Sequence, residues 1–306
     1  TGKVQEFSIY DVEKTNNVPI SKQDITTGEE IEGAKLELLD SKGKVIESWT
    51  STTKPHVINN LKAGTYTIRE KAAPKGYLLA QDIEFTIDAE GNINGSTIMQ
   101  DDYTKVEISK KDIVTSEELP GATLQVIEKS TGKVLEEWIS KDSAHRIDKL
   151  PIGEYILREI TAPNGYVKAE DVEFTVSNSG EIQRVEMQDD YTKVEITKKD
   201  LETKEILKGA QLQLLDSQGD VVAEFTSENK AYTISKLPVG EYTLHEVKAP
   251  KGYNLAEDVK VVIEETGKVQ EFSIYDVEKT NNVPISKQDI TTGEEIEGAK
   301  LELLDS

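Results

Sequence analysis

Three kinds of ionisable residue recur in step with apolar neighbours. In "VPISKQD" the two-residue step Val18, Ile20, Lys22 carries a lysine onto the face of a strand that should be dry. In "YTIREKAAPKGY" the step Tyr66, Ile68, Glu70 does the same with a carboxylate, and in "IMQDD" Met99 leads to Asp101. The pattern returns twice, with Lys110, Glu159 and Asp189, and with Lys198, Glu246 and Asp276. Neighbouring charges keep less regular company: Asp102 and Asp190 have Val277 as their third counterpart, and Lys111 and Lys199 have Gln23. Burying isolated charges costs several kcal/mol per ion, so the three groups must answer one another. One answer is a hydrogen-bonded ion triad. The other is chemical: a desolvated amine tends to lose its proton, and crowded carboxyls tend to keep one. A neutral lysine Nζ then attacks the aspartate carboxyl carbon, while a protonated glutamate bonds the carbonyl oxygen and relays protons as water leaves. The product is a side-chain amide, and proximity in a water-free pocket supplies most of the acceleration.

The elements that would hold such a triad are short alternating runs separated by turn signals, the mark of an all-β sandwich rather than of helices. In the first unit the expected strands are "VPISKQD", "AKLELLD", "KVIESW", "HVINN", "TYTIREK", "DIEFTID" and "STIMQDD". Seven strands in about ninety residues fit an immunoglobulin-like sandwich with antiparallel sheets. "DSKGK" and "DAEGN" supply hairpin turns, and "APKGY" redirects the chain. Trp49, Trp138 and, in the equivalent place, Phe225 read as core fillers. Tyr77, Tyr166 and Tyr253 follow the Pro-Gly turn and read as packing residues, although such a face could also meet a ligand.

"ISKQD", "ISKKD", "ITKKD" and "ISKQD" place Lys22, Lys110, Lys198 and Lys287 at spacings of 88, 88 and 89 residues. Residues 1–41 and 266–306 are identical, whereas the three units between have diverged, which implies a 265-residue super-repeat. The expected division is a last strand and linker of a preceding repeat at 1–15, three domains at 16–103, 104–191 and 192–278, and the linker and first strands of a following repeat at 279–306. Asp11 and Lys287, whose partners would lie in those outer repeats, are expected to be unpaired. From Asp101 to Lys110 and from Asp189 to Lys198 is nine residues, which leaves little slack. From Asp276 to Lys287 is eleven, with "TNN" and a proline, so a looser joint is expected once per super-repeat.

Acids outnumber bases 58 to 36, a net charge of −22, which argues against nucleic acid or an anionic membrane as partner. With no cysteine, neither disulfides nor thiolate metal sites are available, and no apolar run approaches a membrane span. His56, His145 and His245 are scattered, and the Asp/Gly hairpins lack a calcium-loop pattern, so no metal or cofactor is expected. Glycoside hydrolysis by paired carboxylates is disfavoured, because the same acids recur in three diverged units without insertions that could build a cleft.

The K-x-D strand, "IEGAKLELLDSKGKVIESW", the E-x-x-A-P-x-G-Y segment and "IMQDDY", in that order, resemble the collagen-adhesin B-type (CnaB) domains of Gram-positive surface proteins, over residues 16–278. The resemblance implies a prealbumin-like sandwich whose first and last strands are joined by an intramolecular isopeptide bond. It assigns Lys22 to Asp101 with Glu70 as catalyst, Lys110 to Asp189 with Glu159, and Lys198 to Asp276 with Glu246. Many family members use asparagine as acceptor, so water rather than ammonia would leave here. It further implies a wall-anchored extracellular stalk of an adhesin or pilus, self-crosslinking but not an enzyme. Its partners would be neighbouring repeats and, through a tip domain outside this chain, host matrix. The alternative is a set of repeats that themselves bind matrix protein or glycan.

Overall fold

The computed structural model describes residues 14–280 and 283–304. Alternation of apolar and polar residues yields strands throughout residues 16–276, and no helix occurs among the described residues. The first sandwich contains β1 (Asn16–Asp24), β2 (Lys35–Asp40), β3 (Val45–Thr50), β4 (His56–Leu61), β5 (Gly64–Ala72), β6 (Ile83–Ile87), β7 (Ile93–Gly95) and β8 (Ile98–Asp101). The second contains β9 (Lys105–Asp112), β10 (Thr123–Glu128), β11 (Val134–Ile139), β12 (His145–Asp148), β13 (Gly153–Thr161), β14 (Val172–Val176) and β15 (Ile182–Asp189). The third contains β16 (Lys193–Asp200), β17 (Gln211–Leu215), β18 (Val221–Thr226), β19 (Tyr232–Ser235), β20 (Gly240–Lys248), β21 (Val259–Ile263) and β22 (Val269–Asp276). Two compact units meet in sequence between Tyr191 and Thr192, the first holding two sandwiches and the second one.

Each sandwich sets a three-stranded sheet against a larger one. In the first the orders are β4-β1-β8 and β3-β2-β5-β6-β7; in the others, β12-β9-β15 with β11-β10-β13-β14 and β19-β16-β22 with β18-β17-β20-β21. Against the expectation of antiparallel sheets, the first and last strands of each sandwich run parallel, with Lys22 level with Met99 and Asp24 with Asp101, because they are the two ends of the domain and no hairpin joins them; all other ladders are antiparallel. Inward residues of both sheets form one core per sandwich, such as Val18, Ile20, Leu36, Leu38, Ile68, Phe85 and Met99 in the first. Phe225 is buried in the third core, and Trp49 and Trp138 pack half-buried against theirs, stacked on His56 and His145.

The first sandwich departs from the seven-strand expectation. Its last stretch breaks into β7, paired with β6, and β8, paired with β1, so the chain changes sheets. The break follows Gly95, whose φ of 101° is left-handed and whose Cβ would lie 2.8 Å from the Glu84 carbonyl oxygen, so only glycine fits. In the other two sandwiches β15 and β22 run unbroken along the first strand. At the far end the expected first strands of a following repeat are not formed among residues 283–304. Counterparts of β5 and β8, which pair with β2 and β1 in the first sandwich, do not occur there, and a lone strand has no ladder to join.

Candidate functional site: a buried lysine, aspartate and glutamate in each sandwich

The parallel pairing of β1 and β8 brings Lys22 and Asp101 to one sheet, and β5 brings Glu70 to it from the facing sheet. All three are buried, Lys22 at 1%, Glu70 at 4% and Asp101 at 0% exposure. Lys22 Nζ donates to Asp101 Oδ1 and lies 3.2 Å from Glu70 Oε1. The second sandwich repeats this with Lys110 Nζ on Asp189 Oδ1 and 3.1 Å from Glu159 Oε1. In the third, Lys198 Nζ bonds Asp276 Oδ1 and lies 2.9 Å from Glu246 Oε1. All nine side chains that alternation placed on the dry face are therefore found there, gathered into three clusters.

Two features are not readable from alternation. Immediately after each glutamate the ladder slips by one residue: Leu36 pairs with Glu70 but Lys35 with Ala72, and the same slip follows Glu159 and Glu246. Such a bulge sends Lys71, Ile160 or Val247 outward and lets the glutamate keep its inward aim. The other glutamate oxygen is then tied down. Glu70 Oε2 accepts from the Ala80 amide at 2.7 Å, Glu159 Oε2 from Ala169 at 2.7 Å, and Glu246 Oε2 from Ala256 at 2.8 Å. A signal for this anchor is present in the sequence, since "GYLLA", "GYVKA" and "GYNLA" place an alanine three residues after each turn tyrosine.

With Oε2 anchored, Oε1 points at the lysine and aspartate. Glu70 Oε1 and Asp101 Oδ2 are both buried without a hydrogen-bond partner, as are the matching oxygens of Glu159 and Asp189 and of Glu246 and Asp276. One proton between the two carboxyls would satisfy both atoms. Burial, reinforced by the neighbouring glutamate and opposed by the lysine, pushes Asp101 and Asp189 up to about 7 and Asp276 up to about 6.

The neighbouring charges lie outside these clusters. Asp102 binds Lys105 Nζ at 2.8 Å, and Lys111 pairs with Glu186 at 2.6 Å. Tyr77 and Tyr166 direct their hydroxyls to Asp24 and Asp112 at 2.9 and 2.8 Å, and Tyr253 bonds Asp200, so each turn tyrosine is half-buried and tied to an aspartate of its own sandwich. His56, His145 and His245 each pair with a nearby carboxylate, Glu47, Glu136 and Asp258. Lys287 is exposed in a strandless segment, and Asp11 lies outside the described residues.

Paired first and last strands, a two-sheet sandwich and a triad at its centre define a self-contained structural domain, repeated. The family model described as SpaA, a prealbumin-like fold domain, matches residues 16–102, 104–191 and 192–278, and the chain belongs to that family. A comparison with curated proteins finds no match. Among solved structures, the Bacillus anthracis TIE protein is 26% identical with a TM-score of 0.44, over 86% of this chain and 51% of that one. The chain thus spans about half the length of that protein. BcpA, the major pilin subunit of Bacillus cereus, is 18% identical with a TM-score of 0.35, over 87% of this chain and 100% of that one. A streptococcal ancillary pilin is 14% identical with a TM-score of 0.35, over 86% and 99%.

Proposed function

We propose that the chain is part of the stalk of a Gram-positive surface fibre, at the cell surface, and that each sandwich is closed by an autocatalytic Lys–Asp isopeptide bond. The observation that carries this reading is the threefold recurrence of a buried Lys–Asp–Glu cluster with two unpartnered carboxyl oxygens. The reacting state is amine plus acid. In the first sandwich a proton passes from the Lys22 ammonium to Asp101, and Nζ attacks Cγ. The proton shared with Glu70 Oε1 stabilises the developing oxyanion at the aspartate. Glu70 then takes a proton from the attacking nitrogen and returns it to the departing hydroxyl. One C–N bond forms, one C–O bond breaks, and one water leaves per bond. The Ala80 amide holds Glu70 in register for both transfers.

Such a bond joins parallel first and last strands, so tension entering at β1 and leaving at β8 passes through the amide rather than through the hydrogen-bonded ladder. Lys22 and Asp101 are 79 residues apart, a stretch that would release about 280 Å if the domain unravelled without the bond. Pulling single chains from their ends tests the stalk reading. Linked sandwiches give no such extension steps; three steps of about that length at low force would refute it.

A further inference from the structure

The first and second sandwiches are fastened by a second lysine–aspartate pair, in different surroundings. Asp24, two residues beyond Lys22, is buried at the end of β1. Its Oδ1 accepts the amides of Thr26 and Thr27, and its Oδ2 accepts the Tyr77 hydroxyl. Lys149, on the turn after β12 of the second sandwich, reaches this socket, with Nζ 2.9 Å from Asp24 Oδ2 and 2.6 Å from the Tyr77 oxygen. The ammonium also lies over the Tyr77 and Tyr103 rings, at 4.7 and 5.2 Å. Backbone contacts support the approach. Lys149 N donates to Thr104 O, Thr104 N to Gly76 O, and Thr104 Oγ1 to Leu150 O. Gly76 is so close that a Cβ there would sit 2.2 Å from the Lys149 carbonyl oxygen. Lys149 keeps 40% of its side chain exposed, and burial of Asp24 is outweighed by Lys149, the two amides and Tyr77, which hold its carboxyl down at about 2. The pair stays ionic where the buried pairs are poised to condense.

The residues of this joint form a signature: Asp102, Tyr103, Thr104 and Lys105, then Lys149 at a left-handed φ of 64°. At the exit of the third sandwich the socket persists, with Asp200 capping the Glu202 and Thr203 amides and bonding Tyr253. The four joint residues, however, are replaced by Val277, Glu278, Lys279 and Thr280. In the first sandwich Asn60, at φ 59°, stands in the place of Lys149.

We propose that Lys149 is a latch that fixes the second sandwich to the first. The latch does not depend on whether the amide bonds form.

Lys149→Asn in the full chain imposes the residue of the first sandwich, and asparagine tolerates the left-handed turn. Because the chain has no cysteine, Lys42→Cys and Ser130→Cys, both at exposed hairpin tips, accept one spin label in each sandwich. The expected result is a single narrow distance distribution with Lys149 that broadens in the Lys149→Asn variant and stays narrow in the cation-preserving Lys149→Arg. Carboxyl NMR should show the Asp24 titration rising from about 2 toward 3.8 in the asparagine variant. An unchanged narrow distribution in that variant would overturn the latch and assign the joint's stiffness to the backbone contacts alone.

Discussion

Changing Glu70 to glutamine keeps the volume of the side chain and an oxygen for the Ala80 amide, but removes the proton relay. Lys22 and Asp101 should then remain unlinked while the second and third sandwiches react as before. The proposed bond would close a loop of 79 residues, and restricting the unfolded chain to that extent is worth about 4.5 kcal/mol. For a domain of this size each kcal/mol moves the melting temperature by about 4–8 °C, so one sandwich should melt roughly 20 °C or more below the other two. Differential calorimetry of the whole chain would show about a third of the unfolding enthalpy in a separate early transition, and mass analysis of the same sample would show one water retained. If the bond is absent by mass and the early transition moves by less than about 5 °C, the loop-closure reasoning is refuted.

Asp101→Asn should still link, now releasing ammonia, so the final mass of the variant equals that of the linked parent; the mass of the unreacted asparagine chain would refute acyl transfer to this carbon. Lys22→Met cannot link, and it removes from Asp101 the group that opposes its raised pKa. A carboxyl raised in the folded state stabilises below its unfolded value of 3.8, and that contribution is lost as pH rises toward its folded value, which without the lysine lies above the value of about 7 that Asp101 has beside Lys22. The first sandwich of this variant should therefore melt at progressively lower temperature from pH 4 to pH 8 relative to the parent, and a flat or rising difference would contradict the assignment. Gly76→Ala drives a Cβ into the Lys149 carbonyl and also strains its own turn at φ +84°, so it should weaken the joint by about 1–3 kcal/mol, read as faster proteolysis within residues 102–105 with the second and third sandwiches melting as before and the first somewhat earlier.

Much of the site was legible because strand alternation has a period of two and the dry face tolerates few charges. Lys22, Glu70 and Asp101 broke that pattern in the same way in each unit, and burial followed from the pattern alone. What alternation cannot express is a change of register. The bulges after Glu70, Glu159 and Glu246 depend on ladder pairing across the sheet, and the split of the last strand at Gly95 depends on the approach of Glu84 from another strand. The latch was hidden for a related reason. Lys149 looks like an ordinary turn lysine until the fold of a different domain supplies Asp24 and Tyr77.

Whether three lysines and three aspartates have become amides is tested most directly by the intact mass of the purified chain under denaturing, reducing conditions. Three bonds lower the mass by three waters relative to the sequence, and each of Glu70→Gln, Glu159→Gln and Glu246→Gln should restore one water. A mass equal to that of the unmodified sequence would contradict the crosslinks and leave the clusters as buried ion networks.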